Sequence, residues 1–483
     1  ARRYMTDNCA LISAGTVAVL PYFVQISVLG RPDHHIAAAF LYCTMFPAVL
    51  NTTGNRGLAG ACARSALPGL ILAVSLAVWV GSLIFAGMIF MYFLLLFFLR
   101  IRNAEQREAS AFSAATLFLS SAVMLWPWAS RTYWAQTGRI RWDALSYFHI
   151  YLLIGCCVFF YTTYLISRWT RIPRQTARPF LPAVILLVPA CFFYFIFQAG
   201  LHESLFAGIE WVAAGDPILR HVAETMPLTP RAASEYFGRL VFLFPLLLFA
   251  VMCLNRRNGN REAALFLVVS SLTAGLCVIR KERFADIFSV NAAILTGYFV
   301  YLPLKLIPHG NSFRRKTAIY ACTGIVLALS FIPPARWIRN YVYSAPRFSF
   351  APVYELCEWL KLNTTPPKVD SDGIPEPRYS VLAEWCLGNS IASIARRANV
   401  ANNFLGWPEN RAANIVPYRF YVCHDPHKAK LLLKRYGVRY IIVGEPVVSG
   451  AFAMMISILN LEHSDYFTGP EDAPGKAQKP LEK

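Results

Sequence analysis

"LPGLILAVSLAVWVGSLIFAGMIFMYFLLLFFL", residues 67 to 99, contains no charged side chain. A helix crosses the roughly 30 Å hydrocarbon core of a bilayer in about 20 residues, so this run is too long for one span and too apolar to face water. It reads as two membrane helices divided near Trp79 and Gly81.

Similar runs fill the first two thirds of the chain. They predict eleven spans, at about 11–30, 36–50, 66–80, 82–99, 111–128, 146–167, 179–199, 238–255, 263–279, 286–306 and 317–333. Composition agrees: of 483 residues 56% are hydrophobic and only 15% charged, against about a quarter charged in average soluble domains. The fold class is a polytopic α-helical membrane protein.

The formal net charge of +19 would suggest nucleic acid in a soluble chain. In a membrane chain it reads as the arginine and lysine excess of cytoplasmic loops, and no basic, aromatic patch for single strands stands apart from the spans. Most of the twelve cysteines lie within apolar runs and act as small apolar residues, while Cys357, Cys386 and Cys423 are too widely spaced for a zinc motif. The chain starts at Ala1 without a signal-peptide pattern, which predicts a fragment.

With alternating spans, "RIRNAEQRE", "SRWTRIPRQTAR", "NRRNGNRE" and "NSFRRK" fall on one face, which their arginines mark as cytoplasmic. The other face receives the loop around Asp33, the long loop of about 200–238, "VIRKERFAD" and everything after about Pro334. Residues 1–335 are thus expected to form the membrane domain. Residues 336–468 alternate strand-like with helix-like segments, predicting a mixed α/β domain outside the membrane, and 469–483 read as a disordered tail.

Several polar residues on that face could carry chemistry. Asp33 and His35, two apart after Gly30 and Pro32, can point to one side as ligands of a divalent cation, although an acid at a helix start is equally a cap. Glu224 sits in a loop too long for a simple connection and apolar in patches, as binding loops are, but loop glutamates are commonly just solvated. Arg280, Lys281 and Arg283 stand against the charge rule. They suit either an ordinary hairpin or a cationic site for phosphate.

"LGRPDHHIAAAF", "HVAETMPL", "KERFADIF" and "SVLAEWCLGNSIASIARRANVANNF" follow one another on the same expected face. In order and topology they resemble the catalytic subunit family of asparagine-linked oligosaccharyltransferase, over nearly the whole chain. The resemblance implies a C-type glycosyltransferase fold with its active site and C-terminal domain on the external face, here of a prokaryotic plasma membrane. It implies transfer of a glycan from a polyprenyl phosphate or pyrophosphate carrier to asparagine in an acceptor polypeptide, with Mn²⁺ or Mg²⁺.

By motif, Asp33 and His35 would be metal ligands. Glu224, in "HVAE", would bind the metal and the acceptor amide region, with His221 departing from the usual Thr or Ser. Asp33 and Glu224 would be the catalytic carboxylates, and Arg283 would hold the carrier's phosphate. Glu384, Trp385 and Cys386 stand where the family reads acceptor sequence with WWDYG.

Two departures qualify the likeness. The family's first acidic motif belongs to an external loop that this chain is expected to lack, so these 483 residues are expected not to be competent alone. Cys386 replaces the aspartate that receives the acceptor hydroxyl, and a thiol is a weak acceptor; Glu384 could supply the lost carboxylate. A carrier-dependent transferase with another acceptor, a non-catalytic carrier-binding protein and a transporter of lipid-linked sugars stay open beside the first reading.

Overall fold

The computed structural model describes residues 5–27, 34–52, 58–100, 103–169, 201–213, 225–255, 261–306, 313–344, 351–369, 375–376, 378–402, 408–444 and 451–461, with four further helical positions between 187 and 194. Two compact units divide the chain: residues 1–215 with 223–344, and residues 216–222 with 345–483.

The first unit is helical. Its principal helices are α1 (Asp7–Val19), α2 (Pro21–Ile26), α3 (His34–Asn51), α4 (Leu58–Val78), α5 (Leu83–Leu99), α6 (Ala104–Ala129), α7 (Tyr147–Trp169) and α8 (Leu201–Ala213). After these come α9 (Pro230–Phe237), α10 (Phe244–Asn255), α11 (Arg261–Arg280), α12 (Ala285–Leu306), α13 (Phe313–Ser330) and α14 (Ile332–Ser344). Among the described residues seven helical segments are long and apolar enough to cross a membrane, or eight if Pro230–Phe237 and Arg239–Asn255, bent by 111°, form one span.

Differences from the expected eleven have local causes. The span expected at 11–30 is broken: Leu20 is extended, with φ −67° and ψ 129°, and Pro21 opens the next helix, because proline has no N–H to give and crowds the preceding turn. Gly238, at φ +80°, makes the bend before the span expected at 238–255, a conformation that suits glycine. The segment expected at 179–199 lies almost wholly outside the described residues.

Helix packing in this unit uses small residues. A side chain at Gly69 of α4 would strike the Leu117 carbonyl of α6 at 2.7 Å, and one at Gly297 of α12 would meet the Cys9 carbonyl of α1 at 2.7 Å. Close backbone approach replaces the hydrophobic drive that lipid cannot provide.

The run of residues 67–99 divides at Trp79. Its backbone is extended at φ −154° and ψ 119°, and a short 3₁₀ turn, Val80–Ser82, leads into α5. A Cβ on Gly81 would run into the Trp79 indole itself, 2.7 Å from one ring carbon and closer to others. Glycine there lets the ring fold back over the turn.

The second unit contains α15 (Ala351–Asn363), α16 (Pro408–Tyr421), α17 (Pro426–Arg435) and α18 (Ala451–Ile458), with β1 (Lys368–Val369) and β2 (Pro375–Glu376) as an antiparallel pair. A parallel three-stranded sheet has β3 (Ser380–Leu382) in the centre, flanked by β4 (Ala398–Asn399) and β5 (Val438–Ile441). Val381 and Leu382 are buried, so both faces of β3 are covered, as parallel sheets require.

Buried Arg397 fastens the end of α15 to this sheet. Its guanidinium donates to Thr364 Oγ1 at 2.7 Å and to the carbonyls of Lys361 and Thr364, both at 2.8 Å. These carbonyls close the helix's last turn, where no intrahelical donor reaches them.

Candidate functional site

Asp33 and Glu224 lie outside the described residues; His35, Arg283, Glu384, Trp385 and Cys386 lie within them. His34 and His35 are the first described residues of α3. There the His35 ring is 3% exposed, and its Nδ1 donates to the carboxylate of Asp286, Oδ2, at 2.8 Å.

Asp286 sits in the first turn of α12 and is wholly buried. Its second oxygen, Oδ1, accepts the backbone N–H of Ile287 at 2.7 Å. A helix N-terminus favours an anion, through its unpaired N–H groups and its dipole, so the start of α12 is a place where a buried carboxylate can persist.

Two further aromatic rings pack against His35. His34 stacks on His35 with centroids 4.4 Å apart, and the Trp79 indole lies 5.6 Å from His34 and 5.9 Å from His35. Arg283, in the 3₁₀ turn Glu282–Phe284 just before α12, places its guanidinium carbon 5.3 Å from the Trp79 ring centroid. The ends of α3, α4 and α12 thus bring an imidazole, an indole, a guanidinium and a carboxylate together.

The same turn is tied to Met226 and to Tyr236 of α9. The Glu282 backbone N–H donates to the Met226 carbonyl at 2.8 Å, and Tyr236 donates its hydroxyl to Glu282 Oε1 at 2.7 Å. Met226 is two residues beyond Glu224 in the chain. Of these neighbours only His35 and Arg283 were expected from the sequence; Asp286, Trp79, Glu282 and Tyr236 were missed. An acid at the first position of an otherwise apolar span was the available signal for Asp286, since intramembrane acids are seldom idle.

Glu384, Trp385 and Cys386 belong to the second unit and form their own arrangement. They lie at the turn that follows β3, with Trp385–Leu387 in 3₁₀ conformation. The Cys386 thiol donates to Glu384 Oε2 at 3.6 Å, within reach for sulfur. Glu384 Oε1 is buried without a partner among the described residues.

Burial raises the Glu384 carboxyl above the ordinary range, and the thiol's hydrogen bond opposes this only in part. Cys386 reaches the surface, yet the crowding around its sulfur and the adjacent Glu384 push the thiol up to about 11. Tyr418 and Tyr421 are also held above the usual phenol range, chiefly by burial and then by the Glu384 charge. Trp385 packs against the apolar cluster of Tyr418, Val422, Met455 and Ile456.

Gly388 ends the motif where no side chain fits. A Cβ would lie 2.6 Å from the Asn402 Cα, with the Ala401 carbonyl closer still. This glycine fixes how "EWCLG" is pressed against the chain leaving β4.

The pairing of motifs so distant in sequence can be set beside known proteins. The family description "Oligosaccharyl transferase STT3, N-terminal" matches residues 1–305. The chain belongs to the oligosaccharyl transferase STT3 family. A curated relative, dolichyl-phosphooligosaccharide-protein glycotransferase 1 of Archaeoglobus fulgidus, is 22% identical over 465 residues, covering 91% of this STT3-family chain and 68% of the relative.

Among solved structures, the archaeal oligosaccharyltransferase AglB from Archaeoglobus fulgidus, in complex with an inhibitory peptide and a dolichol-phosphate, aligns with a TM-score of 0.77 at 17% identity. The alignment covers 100% of this STT3 chain and 63% of that one. The Archaeoglobus fulgidus oligosaccharyltransferase complex with Zn and sulfate aligns with a TM-score of 0.66 at 19% identity, covering 99% of this chain and 58% of that one. This STT3-family chain therefore spans about two thirds of its curated relative, or less of the solved chains, and shares their fold.

Proposed function

We propose that the chain transfers a glycan from a polyprenyl phosphate or pyrophosphate carrier to asparagine of an acceptor polypeptide, at the external face of a prokaryotic plasma membrane. The observation that carries the reading is the convergence of His35, Trp79, Arg283 and Asp286 at the ends of three helices. On this reading the membrane unit has about eleven spans, and the C-terminal α/β unit stands outside the membrane.

The leaving group is a phosphate oxygen. Arg283, beside the Trp79 ring, binds that phosphate by charge-assisted hydrogen bonds and stabilises the charge that develops on it. The nucleophile is an amide nitrogen whose lone pair is delocalised into its carbonyl. Carboxylates of Asp33 and Glu224 accept its N–H bonds and so weaken that delocalisation.

The donor set suits a divalent cation. His35 has its Nδ1 hydrogen committed to Asp286, so its lone pair is on Nε2, and the carboxylates of Asp33 and Glu224 are hard oxygen donors of the kind Mn²⁺ and Mg²⁺ prefer. Asp33, His35 and Glu224 would hold the ion, which when bound neutralises phosphate charge. The bond from the Glu282 N–H to the Met226 carbonyl, two residues beyond Glu224 in sequence, supports bringing Glu224 into this site.

Cys386 favours a second reading, a carrier-dependent transferase with another acceptor, because it removes the carboxylate expected to receive a Ser or Thr hydroxyl. Glu384, in contact with that thiol, is the residue that can restore sequon reading. The experiment is transfer from a lipid-linked donor in liposomes by the protein supplied with the family's first acidic external loop, with N-X-Thr and N-X-Ala peptides, with and without chelator. Transfer to the Thr peptide alone, abolished by chelator, is expected; equal use of both peptides favours the other acceptor, and unchanged transfer in chelator removes the metal from the reading.

A further inference from the structure

We propose that Asp286 is a positioning residue that orients His35 for the divalent cation. The inference rests on the metal reading above and adds a residue to it. His35 and Asp286 come from elements 251 residues apart, are both buried, and meet at 2.8 Å through Nδ1.

Asp286 is not itself placed as a ligand. Oδ2 receives His35 and Oδ1 receives the Ile287 N–H at 2.7 Å, so each carboxylate oxygen already has a donor, and the side chain is anchored to the first turn of α12. An anchored carboxylate does two things to an imidazole. It fixes the hydrogen on Nδ1, which makes Nε2 the nitrogen with the lone pair, and it stops the ring from rotating. The stacked His34 ring and the Trp79 indole restrict the remaining freedom of the ring plane.

A neutral buried imidazole could be held equally well by a backbone carbonyl. The charge of Asp286 adds electron density to the ring and makes Nε2 a better donor to a cation. A buried carboxylate is costly without such a partner, and the α12 N-terminus offsets only part of that cost. Placement of an acid there serves His35 rather than packing.

The test measures Mn²⁺ binding directly, by the paramagnetic resonance signal of free Mn²⁺ titrated with purified protein in detergent. Wild type, Asp286→Asn, Asp286→Glu, His35→Ala and the double variant His35→Ala/Asp286→Asn are compared, with thermal melting in the absence of metal as the check on folding. Loss of such an outer carboxylate is expected to weaken Mn²⁺ binding by about 10-fold to 100-fold in Asp286→Asn, with partial recovery in Asp286→Glu. In the His35→Ala background the second substitution should change binding less than threefold, because its route to the metal is gone.

Wild-type binding that His35→Ala weakens but Asp286→Asn leaves unchanged would overturn the positioning role alone. Absence of Mn²⁺ binding by wild type would overturn the metal reading and this inference with it. Should Asp286→Asn fail to fold, nitrogen chemical shifts of ¹⁵N-histidine in the wild-type protein decide: His35 with its hydrogen on Nδ1 supports the role, and with its hydrogen on Nε2 contradicts it.

Discussion

The Arg283 guanidinium carbon lies 5.3 Å from the centroid of the Trp79 indole, so a cation in the turn before α12 is held over the ring that ends α4. The electron-rich face of an indole attracts a guanidinium, so Trp79 helps to hold Arg283 in place. Removing it should cost about 1.5–3 kcal/mol of donor binding, or about 10-fold to 150-fold in affinity. Trp79→Leu leaves the charge and removes the platform, which should cost about 0.5–2 kcal/mol. Titration of a polyprenyl-phosphate donor in detergent checks both; equal affinity of wild type and Arg283→Ala would count against the phosphate role.

Gly81→Ala tests the same platform from the backbone. An alanine normally favours helix over glycine by about 1 kcal/mol, so at an ordinary position the change would help. Here the added methyl collides with the Trp79 ring, and the ring must leave its place beside Arg283, His34 and His35. Donor affinity is expected to fall about as far as in Trp79→Leu, with near-normal expression. A Gly81→Ala protein with wild-type donor binding would mean that the ring's position is immaterial.

The same turn shows what the sequence could and could not disclose. An uncharged run too long for one helix forces a break, and Trp79 with Gly81 marked it because a bulky ring and a missing side chain sit together there. Pro21 was equally visible in the sequence, yet the apolar count carried the reading across it, and α1 and α2 were merged into one expected span. Arg283 stood out through its sign in a short loop. Asp286, three residues on, was visible as an acid opening an apolar span, but its partner was not, because His35 is 251 residues away and periodicity carries no information about such a pairing. Glu384 reads as a carboxylate that could stand in for the one Cys386 lacks, but its contact with the thiol depends on the 3₁₀ turn at Trp385–Leu387 and was not legible in the sequence.

Reaction of Cys386 with iodoacetamide should report its carboxylate neighbour. With the thiol pushed up to about 11, only roughly one thiol in a thousand is ionised at pH 8, and alkylation should be about 100-fold slower than for an ordinary cysteine. The acid form is the one favoured in the fold, so the rate climbs only as pH rises toward 11. Glu384→Gln removes the charge but leaves the crowding that contributes most, so the profile should move partway toward the normal thiol range. Mass spectrometry of the peptide containing Cys386, across pH 7 to 11, measures this. A profile unmoved by Glu384→Gln would show that the thiol does not sense the carboxylate.

Restoring an aspartate at position 386 should therefore not act as a simple repair. The Glu384 carboxylate already lies 3.6 Å from the sulfur it would face, and Glu384 is raised by burial before any second charge arrives. Two carboxylates so close cannot both ionise readily, so Cys386→Asp alone would carry a shared proton and gain little affinity for a hydroxyl. The double variant Glu384→Gln/Cys386→Asp removes the repulsion and leaves one charged acceptor, for which a hydrogen bond contributes about 1.5–3 kcal/mol. In binding assays with N-X-Thr and N-X-Ala peptides, wild type should prefer Thr through Glu384, and Glu384→Gln should lose that preference. Cys386→Asp should stay near wild type, and the double variant should recover at least 10-fold discrimination. If all four proteins bind the two peptides alike, neither residue reads the acceptor hydroxyl, and the transferase with a different acceptor becomes the reading that the chemistry supports.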